Sequence, residues 1–265
     1  ELEKDSFLPK QVNKDNGVIP YQVHKYELKK ILDNLGDKIP FLKENAEKIA
    51  AELKTKNVTQ GVISRVSTKS PYPVPGSKRN IVVIDFGIKH SILRELAERD
   101  CNCIVLPYTA TAQEVLNLHP DGVLLSNGPG DPEEMVEATK MVREVEKHVP
   151  LMGICMGHQV FALANRAKTY KMKFGHRGFN HPVREIATGN IGFTSQNHGY
   201  AVDEKSLAGL NVEITNISLN DGTIEGLRYL DHPSFAVQYH PEASPGPGGH
   251  EYLFKRFVKM MGGQN

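Results

Sequence analysis

Between about residues 80 and 167, short runs of continuous apolar residues alternate with longer stretches in which apolar residues recur at helical spacing. Short apolar runs are typical of strands buried on both faces, and amphipathic stretches are typical of the helices that cover them. The predicted strands are Ile81–Ile84, Cys103–Leu106, Gly122–Leu125 and Pro150–Cys155. The predicted helices are His90–Arg99, Thr111–Leu118, Pro132–His148 and Val160–Ala167. This alternation predicts an α/β fold with a doubly wound, mostly parallel sheet.

The second half of the chain contains more strand than helix. Turn residues at Thr188–Asn190 and Asn220–Gly222 favour antiparallel additions to the sheet. A further short strand is predicted at Phe235–Tyr239, and Gly249–Met261 is predicted to form a closing helix. The parallel core is therefore expected to carry an antiparallel extension.

The first 56 residues show a different pattern. Apolar residues recur at helical spacing from Leu28 to Leu35, and again from Phe41 to Leu53 after Pro40, which predicts a small helical hairpin. Ser70–Lys78 is rich in proline and is typical of a stiff linker. We therefore predict a helical segment at 1–56, a linker at 57–79 and the α/β domain at 80–265.

The composition excludes several broad classes of protein. Lys and Arg total 32 against 31 for Asp and Glu, so no general affinity for nucleic acid or anionic membranes is expected. No apolar run approaches the roughly 20 residues that span a bilayer. Three cysteines form neither a disulfide framework nor a zinc motif, so no metal site is predicted. A reducing cytoplasm is the expected location.

The strongest chemical signal is Cys155, which follows an apolar strand and precedes Gly157 and a helix. This strand–turn–helix elbow is typical of an exposed nucleophile whose thiolate is stabilised by a helix N-terminus. His240 and Glu242 end a second strand, and residues two apart on an extended chain share a face, so Glu242 can orient His240. The glycine-rich loop Ser126–Pro132 offers backbone N–H groups for an oxyanion. The alternative is that Cys155 is an ordinary buried side chain.

Five motifs resemble those of the class I (triad) glutamine amidotransferases, and in particular the glutaminase domain of the carbamoyl-phosphate synthase small subunit. They are Leu125–Pro132, Gly153–Gln159, Lys173–Val183, Ser195–Tyr200 and His240–Glu242. The resemblance covers about residues 58–262. Methionine stands at position 156, where the family more often has leucine. This change leaves the backbone N–H in place.

The resemblance implies a role for each matching residue. Cys155 is the implied nucleophile, His240 the general base and acid, and Glu242 its orienting carboxylate. The implied glutamine-binding residues, of which the first two supply the oxyanion N–H groups, are Gly128, Met156, Gly130, Gln159, Asn197, Gly199 and Tyr200. The implied substrate is L-glutamine and the implied partner is a carbamoyl-phosphate synthase large subunit. No cofactor is expected on this chain, because ATP and Mg²⁺ are expected on the partner.

Residues 1–50 are similar to a recognition-lobe segment of the type II CRISPR RNA-guided endonucleases, through Leu8–Gln11, Asn16–His24 and Ile39–Asn45. The family's N-terminal domain, which supplies one serine to the glutamine site, has no matching residue here. A fusion or chimera is therefore expected. The open alternatives are an inactive or partner-binding fragment, a glutaminase of anthranilate or GMP synthase, and a product that serves either arginine or pyrimidine synthesis.

Overall fold

The structure is a computed structural model that describes residues 61–262, together with Lys48 and Ala51. The described residues from 61 onward belong to the second of two compact units, Val58–Asn265. Lys48 and Ala51 are helical. The rest of the helical segment predicted at 1–56 lies outside the described residues.

The described part of the chain contains one mixed sheet of ten strands in the order β1-β3-β2-β4-β5-β10-β9-β8-β6-β7. Strands β2, β3, β4, β5 and β10 are parallel, and the remaining pairs are antiparallel. The strands are β1 Tyr72–Val74, β2 Asn80–Asp85, β3 Asn102–Pro107, β4 Gly122–Leu125, β5 Leu151–Ile154, β6 Thr169–Glu185, β7 Ile191–Val202, β8 Val212–Ser218, β9 Ile224–Tyr229 and β10 Ser234–Val237. The predicted α/β fold with antiparallel additions is confirmed.

Helices cover both faces of the parallel part of the sheet. They are α1 Ile63–Val66, α2 His90–Ala97, α3 Ala112–Leu116, α4 Val136–Val145, α5 Met156–Ala164 and α6 Tyr252–Met260. Two 3₁₀ turns, Pro132–Glu134 and Glu204–Leu207, precede α4 and β8. Helices α3, α4 and α5 share one apolar cluster, and α2 and α6 share the other. Side chains of β2 alternate between the two clusters, which is why this strand reads as continuously apolar.

Local sequence explains where several elements begin. Thr111 and Glu114 form a reciprocal capping box at the start of α3, so the helix begins at Ala112 rather than Thr111. The single helix predicted at Pro132–His148 is wrong, because Met135 leaves the helical region with φ −87° and ψ 45°. A 3₁₀ turn and a shorter helix replace it. The helix predicted from Val160 begins earlier, at Met156, directly after Cys155.

The segment predicted as a linker contributes to the sheet and the core. Tyr72–Val74 pairs antiparallel with β3 as an edge strand, a position that tolerates Pro73 because an edge strand need not donate on its outer side. Ile63 of α1 is 1% exposed within the first apolar cluster. Among the described residues, no helix combines the length and apolar character required to cross a bilayer.

Strands β6 and β7 form the long antiparallel arm of the sheet. Their pairing is interrupted between Lys171 and His176 and again between Gly178 and His181. Ser195 of β7 also bridges to His240, whose N–H donates to the Ser195 carbonyl at 2.9 Å. This bridge ties the arm to the carboxyl end of β10, beside β5.

Candidate active site

Cys155 occupies the predicted elbow between β5 and α5. Its backbone has φ 54° and ψ −102°, a conformation that costs a non-glycine residue on the order of 1–3 kcal/mol. Two backbone bonds hold it there: the Cys155 N–H donates to the Val237 carbonyl at 2.9 Å, and the Gln159 N–H donates to the Cys155 carbonyl at 3.2 Å. The sulfur therefore lies at the N-terminus of α5, as predicted.

His240 and Glu242 follow β10, the strand that pairs in parallel with β5. His240 Nδ1 lies 2.8 Å from Glu242 Oε1, and because an ionised carboxylate only accepts, Nδ1 carries the hydrogen. The remaining ring nitrogen, Nε2, is then the one that hydrogen-bonds to Cys155. The structure thus brings the three predicted residues into one chain of hydrogen bonds.

The neighbours of His240 favour its protonated form. Burial disfavours the imidazolium of His240, but its interactions with Cys155 and the Glu242 carboxylate outweigh this effect and raise the pKa of His240 to about 9. Burial also disfavours the Glu242 carboxylate, yet His240 and Lys89 together hold the pKa of Glu242 below its ordinary value. Opposite charges on neighbouring groups therefore stabilise each other at this largely buried site.

The other two cysteines, Cys101 and Cys103, are ordinary buried side chains. Cys101 and Cys103 are free and buried in the second apolar cluster. Burial raises the pKa of the Cys101 thiol to about 11 and that of Cys103 to about 12, so neither is a thiolate near neutral pH. Cys155 differs from them because it has an imidazole partner and a helix N-terminus beside it.

The predicted oxyanion N–H groups belong to Gly128 and Met156. Met156 is the first residue of α5, so its N–H has no acceptor within the helix. A side chain at Gly128 would place Cβ 2.3 Å from the Phe86 carbonyl oxygen, so the loop after β4 can approach the end of β2 this closely only with glycine. The Phe86 N–H also donates to Ser126 Oγ at 2.9 Å, which fixes the same loop.

The remaining predicted glutamine contacts lie on α5, on β7 and in the loop after β4. Gln159 is buried, and its amide nitrogen donates to the Tyr200 carbonyl at 2.8 Å and to Gln238 Oε1 at 3.0 Å. Asn197 is exposed, and Gly199 and Tyr200 are half-buried. The hydrogen bond from Gln159 to the Tyr200 carbonyl joins α5 to β7.

Tyr200 also connects β7 to the glycine-rich loop. Burial raises the pKa of the Tyr200 hydroxyl to about 12, with a hydrogen bond to Asp131 as the second cause. Gly130, next to Asp131, has φ +100°, which suits glycine. The predicted contact residues therefore surround the elbow from two sides, and their roles toward glutamine remain predictions.

Sequence reasoning missed Lys89 and Gln238. Lys89 Nζ donates to Glu242 Oε1 at 2.7 Å, the same oxygen that accepts from His240. Its backbone N–H donates to Asn127 Oδ1 at 2.9 Å, which anchors the start of α2 to the glycine-rich loop. The only sequence signal for Lys89 was its position in the loop that follows a predicted parallel strand, because binding sites in α/β sheets lie at the carboxyl ends of the strands.

This arrangement is suited to acyl transfer. It contains a cysteine that can act as a nucleophile, an oriented imidazole that can transfer a proton, and N–H groups next to the cysteine. All of these parts lie at the carboxyl ends of parallel strands, where ligands bind in open α/β sheets. The alternative interpretation of Cys155 as an inert buried side chain does not account for its backbone strain or its contact with His240.

Comparison with known families agrees with this geometry. The sequence model of Glutamine amidotransferase class-I matches residues 82–260. The model of the REC lobe of CRISPR-associated endonuclease Cas9 matches residues 1–62. The two matches do not overlap.

Individual carbamoyl phosphate synthase small chains are also similar to this chain. The carbamoyl phosphate synthase pyrimidine-specific small chain of Lactiplantibacillus plantarum is 61% identical over 209 residues, which cover 79% of this chain and 57% of the relative. The carbamoyl phosphate synthase small chain of Streptococcus mutans is 55% identical over 238 residues, which cover 90% of this chain and 64% of the relative. The chain therefore spans less than two thirds of the length of these relatives.

A solved structure shares the fold. It is a Thermoplasma acidophilum protein provisionally named as a GMP synthase subunit, with a TM-score of 0.59 and 23% identity, covering 70% of this chain and 95% of that one. At this identity the likeness concerns the fold alone. The class-I model, by contrast, matches more than half of the chain and includes the elbow and the His–Glu pair. The chain belongs to the class-I glutamine amidotransferase family.

Proposed function

We propose that this chain hydrolyses L-glutamine to glutamate and ammonia, as the glutaminase part of a carbamoyl-phosphate synthase. The observation that carries the proposal is the hydrogen-bonded chain Cys155–His240–Glu242 at the ends of two adjacent parallel strands. The relatives named as carbamoyl phosphate synthase small chains support the choice of synthase. No observation favours anthranilate or GMP synthase, because the GMP-synthase likeness rests on the fold.

The first chemical step is attack of the Cys155 thiolate on the side-chain amide carbon of glutamine. The amide oxygen becomes an oxyanion next to the N–H groups of Met156 and Gly128. His240 then donates its proton to the amide nitrogen, the carbon–nitrogen bond breaks, and ammonia leaves. The product of this step is a γ-glutamyl thioester with neutral His240.

The second step regenerates the site. Water attacks the thioester carbonyl while neutral His240 accepts one of its protons, and the carbon–sulfur bond breaks to release glutamate and the Cys155 thiolate. Glu242 keeps the ring of His240 in one orientation through both steps, since its oxygen accepts from Nδ1. Lys89 holds the same oxygen from the other side.

The ammonia is proposed to pass to a carbamoyl-phosphate synthase large subunit. On this proposal ATP and Mg²⁺ act on that partner, and this chain needs no cofactor. Phe179, Ile191 and Phe193 are exposed apolar side chains on β6 and β7 and are candidate contacts for a protein partner. The name of the L. plantarum relative favours pyrimidine synthesis as the destination of the product. A reducing cytoplasm suits the catalytic thiolate.

We further propose that the chain joins parts of two different origins. The match of residues 1–62 to a nuclease lobe supports this. The S. mutans alignment is longer than the stretch 58–265 and so reaches into the first 57 residues, which supports a junction inside that segment.

Glutamate release from L-glutamine by the full chain is the direct test. Cys155→Ser should abolish it, because a hydroxyl is a far weaker nucleophile than a thiolate. Cys101→Ala serves as the matched control and should retain activity. A diazo-ketone analogue of glutamine should label Cys155, as read by peptide mapping. Labelling of Cys101 or Cys103 instead would contradict the assignment.

Titration with a carbamoyl-phosphate synthase large subunit tests the partner. Binding with a rise in kcat would support the proposed partner, because contact with a partner supplies the closure that aligns the triad. No binding and an unchanged kcat would contradict the proposed partner. Absence of glutaminase activity in the presence of a correctly folded chain would refute the proposed function itself.

A further inference from the structure

A second group of ionisable side chains lies on β6, β7 and β9 and takes no part in the mechanism above. It consists of His176 on β6, His198 on β7 and Glu225 on β9, all buried. One nitrogen or oxygen atom from each lies within 4.8 Å of the other two. The sequence did not indicate this group, because its members come from three different strands.

Each of these three side chains is oriented by a neighbour through its other polar atom. His176 Nε2 lies 2.8 Å from Asp221 Oδ2, and His198 Nδ1 lies 2.8 Å from the Tyr200 carbonyl oxygen. Glu225 Oε2 accepts from the Gln196 amide at 2.8 Å. Outer partners of this kind, a carboxylate and a carbonyl on the histidines and an amide on the carboxylate, fix the ligands of protein metal sites.

The remaining polar atoms, His176 Nδ1, His198 Nε2 and Glu225 Oε1, lie close to one another. His198 Nδ1 points at a carbonyl and so carries the hydrogen, which leaves a lone pair on Nε2. This Nε2 is buried, has no hydrogen-bond partner among the described residues, and lies 4.0 Å from Glu225 Oε1. His176 Nδ1 lies 3.2 Å from the same oxygen. An ion pair between His176 and Glu225 explains the contact between His176 Nδ1 and Glu225 Oε1, but it leaves His198 Nε2 unsatisfied.

We propose that His176 Nδ1, His198 Nε2 and Glu225 Oε1 bind a divalent transition-metal ion of the Zn²⁺ class. Two imidazoles and one carboxylate are a ligand set that Zn²⁺ takes with bonds of about 2.0–2.2 Å. A tetrahedral ion with such bonds separates its ligand atoms by about 3.3 Å. The 3.2 Å pair already meets this distance, and the 4.0 Å pair must close by less than about 1 Å. The two histidine nitrogens lie within 4.8 Å of each other and must close by up to about 1.5 Å.

Charge and access are consistent with a divalent cation. The carboxylates of Glu225 and Asp221 together balance a charge of +2, and binding displaces the proton that His176 Nδ1 shares with Glu225. Asp221 lies in the turn between β8 and β9 with 43% of its side chain exposed, so the outer partner of His176 is in contact with solvent. The ion would lock His198 and therefore its neighbours Asn197 and Gly199, which are predicted glutamine contacts.

The test uses the full chain carrying Cys155→Ser, so that the catalytic thiol cannot bind the metal. Titration of this parent chain with Zn²⁺ by calorimetry should show one binding site. Adding Glu225→Gln or His198→Gln should reduce the affinity of that site for Zn²⁺ by at least about 10²-fold. The matched control is His181→Gln, because the ring of His181 lies 5.1 Å from that of His176 without belonging to the ligand set. This control should bind Zn²⁺ as the parent does.

Spectroscopy on the parent chain keeps the test independent of mutant folding. Co²⁺ in place of Zn²⁺ should give visible absorption typical of four-coordinate cobalt, and X-ray absorption of the Zn²⁺ form should show two imidazole ligands. Zn²⁺ affinity that is unchanged by both Glu225→Gln and His198→Gln, or a parent chain that binds no Zn²⁺, would overturn the proposal. The second result would leave His176 as an ion-paired side chain only.

Discussion

Gly157, two residues after the nucleophile, offers a sharp test of how the elbow is built. It lies in the first turn of α5, and its N–H donates to the Ser126 carbonyl at 2.9 Å. A side chain at this position would place Cβ 2.1 Å from the Leu125 carbonyl oxygen and 2.6 Å from its carbon. Both are backbone atoms of a central strand, so neither can rotate away as a side chain can. Gly157→Ala must therefore move α5 relative to β4.

The size of that movement sets the expected effect. Ordinary contact begins at 3.4 Å, so α5 must retreat by more than about 1 Å. A misplacement of about 1 Å in a catalytic group costs about 10²-fold in rate, or about 3 kcal/mol in activation free energy. Overpacking should also lower the free energy of unfolding by about 1–3 kcal/mol, with the better helix propensity of alanine offsetting part of it.

Glutamate release and denaturant unfolding measure the two effects separately. We expect kcat/KM of Gly157→Ala to fall by about 10²-fold while the chain remains folded at 25 °C. The matched control is Gly248→Ala, whose added Cβ would meet only the flexible end of Glu251, at 2.9 Å, and which should keep full activity. Wild-type kcat/KM in Gly157→Ala would refute the claim that close packing of α5 on β4 positions the nucleophile.

Two further predictions concern the triad. His240→Asn should remove nearly all glutamate release, whereas Glu242→Gln should lose less, because Glu242 orients the ring without transferring the proton; equal losses in two folded variants would show that this ranking is wrong. The raised pKa of His240 also makes stability depend on pH. Its contribution is fully present below the ordinary value of 6.5 and is lost as pH rises through about 9. Denaturant unfolding should show that decline, and Cys155→Ser should flatten it; parallel pH profiles would contradict the thiolate–imidazolium pair.

Features encoded within a few neighbouring residues could be predicted from the sequence. The elbow at Cys155 depends on a strand, a glycine and a helix that are contiguous, and the His240–Glu242 pair depends on period-2 geometry within one short segment. The alternation of apolar runs and amphipathic helices likewise predicted the parallel core, because each element must bury its own apolar face. The helix predicted at Pro132–His148 failed because the break at Met135 is a matter of backbone geometry that the apolar pattern does not record.

Whatever depends on the juxtaposition of distant segments was decided by the tertiary structure. Lys89 reaches Glu242 only because β2 and β10 end at the same edge of the sheet, and Tyr72–Val74 becomes a strand only because β3 offers a free edge. The group of His176, His198 and Glu225 forms where β6, β7 and β9 fold over one another. The sequence alone predicted Cys155 at an elbow and the His240–Glu242 pair, because each of these two features is local. The proximity of Cys155 to His240, and of Lys89 to Glu242, is created only by the packed sheet.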